Sequence, residues 1–332
     1  MLILLTTLLA CKHYDTVDEA CADDVPGEKS LDDSPAAAWS LDFTLRQNCY
    51  RRYVGLSQVP VHYGVQYAVD QHGEYLALAD LSDPGIEWGT EVAGPQYYAP
   101  DALGRLAAGG YAYESGSSGL WEVMWTGAGP DVTGAELVDE MMLAPDWHEI
   151  LLQFEPLAAG WSHGVDALGL SFVYGNLVYD FPSSEFKTWV TYPQDGQKDV
   201  PRASDSGFGT PLSIVVGSTT ATGDYNGENP YALELVRVPQ LVAVAPVATA
   251  WTLPGTNELV PLRYSAIGEP LKPLDAETEY TLEGEFRWEG GQKDFQVTFT
   301  TAADLDTTET TAISRETARG VRKHHPPGET AR

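Results

Sequence analysis

Apolar positions between residues 39 and about 182 recur mainly with the period of an α-helix. Helices are predicted over residues 41–53, 65–79, 101–109, 133–142 and 146–152. Residues typical of helix starts and helix ends lie at several of these boundaries. Pro100 and Asp101 open the third helix and Gly109 closes it, while Thr133 and Glu136 have the spacing of a capping box. Local sequence therefore predicts where several helices begin and end.

Strand-like runs follow these helices, at residues 168–174 and 176–181, and Gly175 between them predicts a turn. Helices mixed with a few antiparallel-type strands are typical of an α+β fold.

After about Tyr192 the helical periodicity disappears. Short alternating runs separated by Pro, Gly, Asp and Asn then predict a β-sandwich of roughly 100 residues, Ig-like in the broad sense. Within it, residues 280–288 and 295–300 are predicted to pair as a hairpin turning at Gly290-Gly291.

The N-terminus carries a short apolar run, residues 1–10, that ends in a small residue before Cys11. The run is too short to span a bilayer as a helix and is typical of the hydrophobic part of an export signal. Leu8-Leu9-Ala10-Cys11 resembles the bacterial lipobox, whose cysteine is diacylated and becomes the new N-terminus. A buried strand at the true N-terminus is the alternative, since no Lys or Arg precedes the run. In an exported protein, the remaining Cys21 and Cys49 predict one disulfide.

Five segments follow from these patterns. They are an export signal (1–10), an acidic flexible tether (11–38), an α+β domain (39–195), a β-sandwich (196–302) and a disordered tail (303–332). Membrane contact is expected only through the lipid anchor at Cys11.

The charge balance excludes one class of partner. The chain holds 19 Lys and Arg against 48 Asp and Glu, a net charge of −29. The last thirty residues hold as many basic as acidic groups, so the rest of the chain carries the whole imbalance. Such a surface repels nucleic acid and anionic headgroups, because binding them needs clustered Lys and Arg. It attracts cations and cationic partners, unless the charge serves only solubility in a salty or extracellular setting.

Candidate chemistry centres on His72, which lies on the apolar stripe of the second predicted helix. Burying an imidazole without a partner is costly, so its partners would define a site. Bonded only to a backbone carbonyl, it would be an ordinary core residue. Glu122 and His148 also lie among bulky apolar residues. Two histidines and a carboxylate can hold zinc with one open position, or act as acid and base, or form a structural Glu–His pair.

The order of the segments resembles the CAP superfamily (cysteine-rich secretory, antigen 5 and pathogenesis-related proteins), specifically its bacterial SCP-like branch. The matching segments are Asn48–Leu56, Gln71–Leu76, Trp121–Val123 and Ala144–Leu152. They resemble the branch's opening helix with its Gly-Leu turn, its first-histidine helix, its Gly-Glu-Asn segment and its Ser-Pro-x-His-Arg segment. This resemblance covers about residues 40–200. Residues 273–282 and 299–301 resemble the Ig-like sandwich that follows a CAP domain in bacterial examples.

The resemblance implies a three-layer α-β-α sandwich with a cleft of two histidines and acidic residues. In some members the cleft histidines bind a divalent metal, often zinc. Carried over by position, His72 and His148 match the histidines and Glu122 the glutamate. Trp121 and Val123 stand where the family has Gly and Asn, and one extra residue precedes His148. These departures make the cleft more apolar.

Three functions are compatible with this pattern. The first is an exported lipoprotein of the bacterial cell envelope, at the outer membrane or cell surface, whose cleft binds a divalent metal or an unidentified extracellular ligand without catalysis. The second is a metal-dependent, peptidase-like hydrolase with His72 and His148 as zinc ligands and Glu122 as general base. The third is a structural or adhesion protein with a relic site. The altered residues around Glu122 favour the non-catalytic functions.

Overall fold

The computed structural model describes residues 14, 16–21, 35–83, 87–113, 118–127, 129–144, 147–152, 156–180, 189–204, 207–216, 233–252, 265–288, 291–303 and 320–324. Helices and strands are both present, in agreement with the predicted α+β class. The predicted export signal and Cys11 lie outside these residues. None of the helices in the described part of the chain combines the length and the apolar composition of a membrane-spanning helix.

The helices are α1 (Val17–Cys21), α2 (Pro35–Tyr53), α3 (Tyr63–Leu76), α4 (Ala102–Ala108), α5 (Gly134–Met142) and α6 (His148–Leu151). The strands of the N-terminal half are β1 (Ser118–Thr126), β2 (Pro156–Val165) and β3 (Ser171–Asp180). Those that follow are β4 (Trp189–Tyr192), β5 (Gln197–Val200), β6 (Leu212–Val216), β7 (Glu234–Val242), β8 (Pro246–Val247), β9 (Thr249–Thr252), β10 (Ser265–Pro270), β11 (Glu279–Trp288), β12 (Gly291–Thr301) and β13 (Gly320–His324). The predicted caps are present: Asp101 caps α4, and Thr133 with Glu136 forms the capping box of α5.

An antiparallel sheet in the order β13-β1-β3-β2 forms the centre of the N-terminal half. Alternate residues of β1 point to opposite faces, as the strand period of two requires. Leu120 and Met124 pack with α3 on one face. Trp121, Val123 and Trp125 pack with α2, α5 and α6 on the other. Helices therefore cover both faces of this sheet.

Gly175 lies in the middle of β3, so the turn predicted there was wrong. It pairs with Val123 of β1 and Trp161 of β2. A Cβ at this position would overlap the indole ring of Trp161. That indole in turn packs on Phe43 of α2, with ring centroids 4.2 Å apart. Side-chain packing across the sheet, and not a reversal of the chain, requires the glycine.

The region predicted as a flexible tether contains a helix that packs on the domain. Cys21 of α1 forms the predicted disulfide with Cys49 of α2. Arg46 of α2 pairs with Asp18 of α1 at 2.7 Å. Ala20 is fully buried in the core of the N-terminal half. The disulfide and the ion pair therefore hold α1 against α2. At these positions the chain is not the flexible tether that the sequence predicted.

Two further sheets share one apolar core in the C-terminal half. Their orders are β4-β6-β10-β9 and β5-β12-β11-β7-β8. The predicted hairpin is confirmed, since β11 and β12 pair antiparallel from Glu279↔Thr300 to Trp288↔Gly291. Because β4 pairs with β6, this half begins by Trp189, earlier than the predicted boundary between residues 195 and 196.

Part of the predicted disordered tail forms β13. This strand pairs antiparallel with β1 from Leu120↔His324 to Met124↔Gly320. Without it, β1 would be an edge strand whose free backbone groups can pair with any extended segment. The structure departs from predicted disorder over these five residues.

Removing the disulfide should lower stability, because the bond closes a loop of 28 residues in the unfolded chain. Replacing Cys21 and Cys49 by serine together should reduce the free energy of unfolding by about 3–4 kcal/mol. Urea denaturation under non-reducing conditions would measure this loss. Wild type treated with reductant should match the variant, and an unchanged midpoint would contradict the role given to the bond.

Candidate functional site

His72 is fully buried on the side of α3 that faces the sheet. Its Nε2 lies 2.7 Å from the carbonyl oxygen of Trp88, and its Nδ1 lies 2.8 Å from Oε1 of Glu91. A carbonyl oxygen only accepts hydrogen bonds, so Nε2 carries a hydrogen. The short contact at Nδ1 requires a second proton between the ring and the carboxylate. Neither nitrogen therefore keeps a free lone pair.

Glu91 lies in the segment between α3 and α4 and has a buried carboxylate. Its Oε2 accepts hydrogen bonds from the backbone amides of Tyr98 at 2.5 Å and Ala99 at 3.1 Å. Burial raises the pKa of Glu91, but the bonds from His72 and from these two amides together lower it below its ordinary value. Burial lowers the pKa of His72, while its bond to Glu91 raises it and favours the protonated ring that the two ring contacts require.

A second ion pair lies beside the first. The Nη2 of Arg105, on α4, lies 2.5 Å from Oε1 of Glu122 on β1. The Tyr174 hydroxyl, on β3, donates to the same carboxylate oxygen at 2.5 Å. Burial raises the pKa of Tyr174, so this hydroxyl keeps its proton. All three side chains are fully buried.

The two ion pairs form one unit. The Nη1 of Arg105 is 3.8 Å from Oε1 of Glu91, and the rings of His72 and Tyr174 meet with centroids 4.5 Å apart. We call His72, Glu91, Arg105, Glu122 and Tyr174 the His72 cluster. With His72 protonated, it holds two positive and two negative charges and is neutral overall. This balance matters because an uncompensated charge in a protein interior is costly.

His148 lies in a different part of the core. Its Nε2 donates to the carbonyl oxygen of Met142 at 2.7 Å, and its ring meets Tyr192 edge-on. The neighbouring Trp147 packs on Trp125, which faces away from Glu122 on β1. Burial lowers the pKa of His148 to about 4, so it is neutral at physiological pH. The sheet separates His148 from the His72 cluster, and none of the contacts described for it reaches His72 or Glu122.

The predicted zinc ligands do not fit a shared metal ion. A histidine binds metal through a free ring nitrogen, and both nitrogens of His72 are already bonded. His148 faces another part of the core. Among the described residues, no group of three or more His, Cys, Asp or Glu side chains is arranged to hold a metal ion. Of the three residues predicted to form the metal site, only His72 and Glu122 lie in the same cluster. Arg105 and Tyr174 connect them.

Glu91, Arg105 and Tyr174 were not among the predicted site residues. Arg105 left a detectable signal, since it lies next to Leu106 on a short apolar helix. Such a position predicts a buried cation that needs an anion. Glu91 left no such signal in the sequence, because its segment has no periodic pattern of apolar residues. Neither a comparison with protein-family models nor one with curated protein sequences found a match for the chain.

Replacing Glu91 by glutamine should destabilise the protein and flatten its response to acid. The pKa of Glu91 is lower in the folded chain because its bonds favour the ionised carboxylate, so protonation of this carboxyl group favours the unfolded chain. The stability that Glu91 contributes is therefore fully present above its ordinary pKa of 4.5 and is lost as the pH falls through its lower pKa in the folded chain. At pH 7 the variant should lose about 3 kcal/mol, because it leaves buried charge unpaired.

Urea denaturation from pH 3.5 to 7.5 would test this. Asp294→Asn, at an exposed carboxylate of β12, serves as the control and should leave the stability at pH 7 nearly unchanged. Equal stabilities of wild type and Glu91→Gln at pH 7 would contradict the arrangement.

Proposed function

We propose that this chain is a non-catalytic protein of the bacterial cell envelope, built from a CAP-like α-β-α domain and an Ig-like β-sandwich. Two features of the fold support the proposal. Helices cover both faces of the N-terminal sheet, and two sheets share one core in the C-terminal half. The order of the sequence segments that resemble the CAP superfamily gives further support.

The burial of the His72 cluster is the observation that carries the non-catalytic assignment. The side chains of His72, Glu91, Arg105 and Glu122 have no exposed surface. A general base must reach the proton that it removes, either directly or through one water molecule. Oε1 of Glu122 instead accepts from Arg105 and Tyr174. The cluster therefore acts as a structural centre that joins α3, the Glu91 segment, α4 and the sheet.

An extracytoplasmic location is supported by the Cys21–Cys49 disulfide, since structural disulfides persist mainly in oxidising compartments. The large negative charge agrees with a protein that does not bind nucleic acid. Together with the lipobox-like sequence, these features favour a lipid-anchored envelope protein with a binding or adhesive role. The hydrolase alternative finds less support, because it needs His72, His148 and Glu122 around one open position.

Metal analysis separates the proposed function from the hydrolase. We expect the mature protein to take up no stoichiometric zinc, and His148→Ala and Glu122→Gln to leave zinc uptake unchanged. Zinc titration followed by elemental analysis would measure this, with circular dichroism to verify that each variant is folded. One zinc ion per chain that is lost in His148→Ala and in a folded His72→Gln would overturn the proposal and restore the metal site.

Lipidation gives an independent test of location. Cells that express the chain should incorporate labelled palmitate into it, and Cys11→Ala should abolish both the label and membrane fractionation. Globomycin, which blocks the lipoprotein signal peptidase, should cause the precursor to accumulate. A wild-type protein that carries no label would rule out the lipid anchor.

A further inference from the structure

Helix α3 has two opposite faces with different compositions. At 100° per residue, Val65, Ala68, Val69, His72 and Leu76 fall on one side, and all five are buried. Tyr63, Tyr67, Asp70 and Glu74 follow the i, i+4, i+7, i+11 spacing and fall on the other side. We call these four residues the α3 outer stripe. It begins with two aromatic rings and ends, two turns later, with two carboxylates.

The aromatic half of the stripe is exposed. Tyr63 and Tyr67 expose 52% and 39% of their surface, and their near-parallel rings have centroids 6.1 Å apart. Tyr98, from the segment before α4, meets Tyr67 edge-on at 5.8 Å. The adjacent Tyr97 is 42% exposed. Grouped aromatic rings left open to solvent are typical of an interaction surface, because each ring could otherwise bury a large apolar area.

Within the described part of the chain, no cation pairs with the acidic half of the stripe. Asp70 is half-buried and accepts a hydrogen bond from Gln66 at 2.7 Å, while Glu74 is exposed. Burial and, to a smaller extent, the charge of Glu74 raise the pKa of Asp70 to about 6, against the opposing bond from Gln66. Among the ion pairs of the described residues, none includes Asp70 or Glu74. A ligand's cation would relieve this repulsion.

We propose that the α3 outer stripe binds a cationic peptide segment through an Arg or Lys side chain. Its aliphatic stem and cation would lie on the faces of Tyr63 and Tyr67, and a second cationic side chain of the segment would reach Asp70 and Glu74, two turns further along the helix. The net charge of −29 steers such a ligand toward the protein and repels anionic competitors. The stripe faces away from the His72 cluster, so this inference does not depend on the function proposed for that cluster.

A fluorescein-labelled peptide of five Arg-Gly repeats can serve as the probe in fluorescence anisotropy at 150 mM NaCl. Wild type should bind it, and Tyr63→Ala with Tyr67→Ala should raise the Kd about tenfold, the loss of two exposed cation–π contacts. Tyr63→Phe with Tyr67→Phe keeps the rings and should bind like wild type. Asp70→Asn with Glu74→Gln should weaken binding by a similar factor.

The matched control removes the same charge elsewhere. Glu285→Gln with Asp294→Asn neutralises two carboxylates that face each other across β11 and β12. This control should change the Kd less than twofold. The proposal is overturned if the control weakens binding as much as the Asp70 and Glu74 variant, or if loss of both tyrosine rings leaves the Kd unchanged.

A neutral oligosaccharide, maltohexaose, provides the competing ligand class. If maltohexaose binds and its binding depends on Tyr63 and Tyr67 while that of the Arg-Gly peptide does not, the surface takes glycans and the peptide proposal fails. Unchanged urea midpoints of all variants would show that the substitutions leave the fold intact.

Discussion

The charge balance inside the His72 cluster is the constraint on which the N-terminal half depends. Two cations and two anions are buried there, and each needs its partner because water is excluded. The partners come from α3, from the segment before α4, from α4 and from β1, while Tyr174 of β3 bridges the pairs. None of these elements can move alone without leaving a buried charge uncompensated. The cluster therefore sets the position of α3 on the sheet.

The placement of α3 explains how one helix can have two separate roles. Its inner face completes the apolar and ionic core, and its outer face presents tyrosines and carboxylates to solvent. Close packing fixes the helix further, since a Cβ at Gly160 of β2 would meet the backbone of Gln66 at 2.9 Å. A helix held this firmly presents its exposed side chains in a fixed arrangement, which lowers the entropic cost of binding a ligand.

Aromatic packing organises the core on the opposite face of the sheet. Trp161 lies across Gly175 and against Phe43, and Trp125 packs on Trp147. His148 belongs to this apolar environment, where burial keeps it neutral and a backbone carbonyl satisfies one nitrogen. His72 and His148 both lie among apolar residues in the sequence, but they have different partners because they lie on opposite sides of one sheet. His72 contacts the carboxylate of Glu91, whereas His148 donates to a backbone carbonyl. The disulfide adds α1 to the same side through α2.

The sequence by itself determined the features that depend on neighbouring residues. The caps at Asp101 and Thr133, the β11–β12 hairpin and the apolar stripe through His72 were all predictable from local spacing. With Cys11 assigned to lipidation, Cys21 and Cys49 were the two cysteines left to pair, and they form the predicted disulfide. Only the tertiary structure decided that Glu91 and Arg105 compensate His72 and Glu122, that His148 lies apart from them, and that Gly175 makes room for an indole. These outcomes depend on which faces meet across the sheet, and contacts between residues distant in the chain leave no periodic signal in a single sequence.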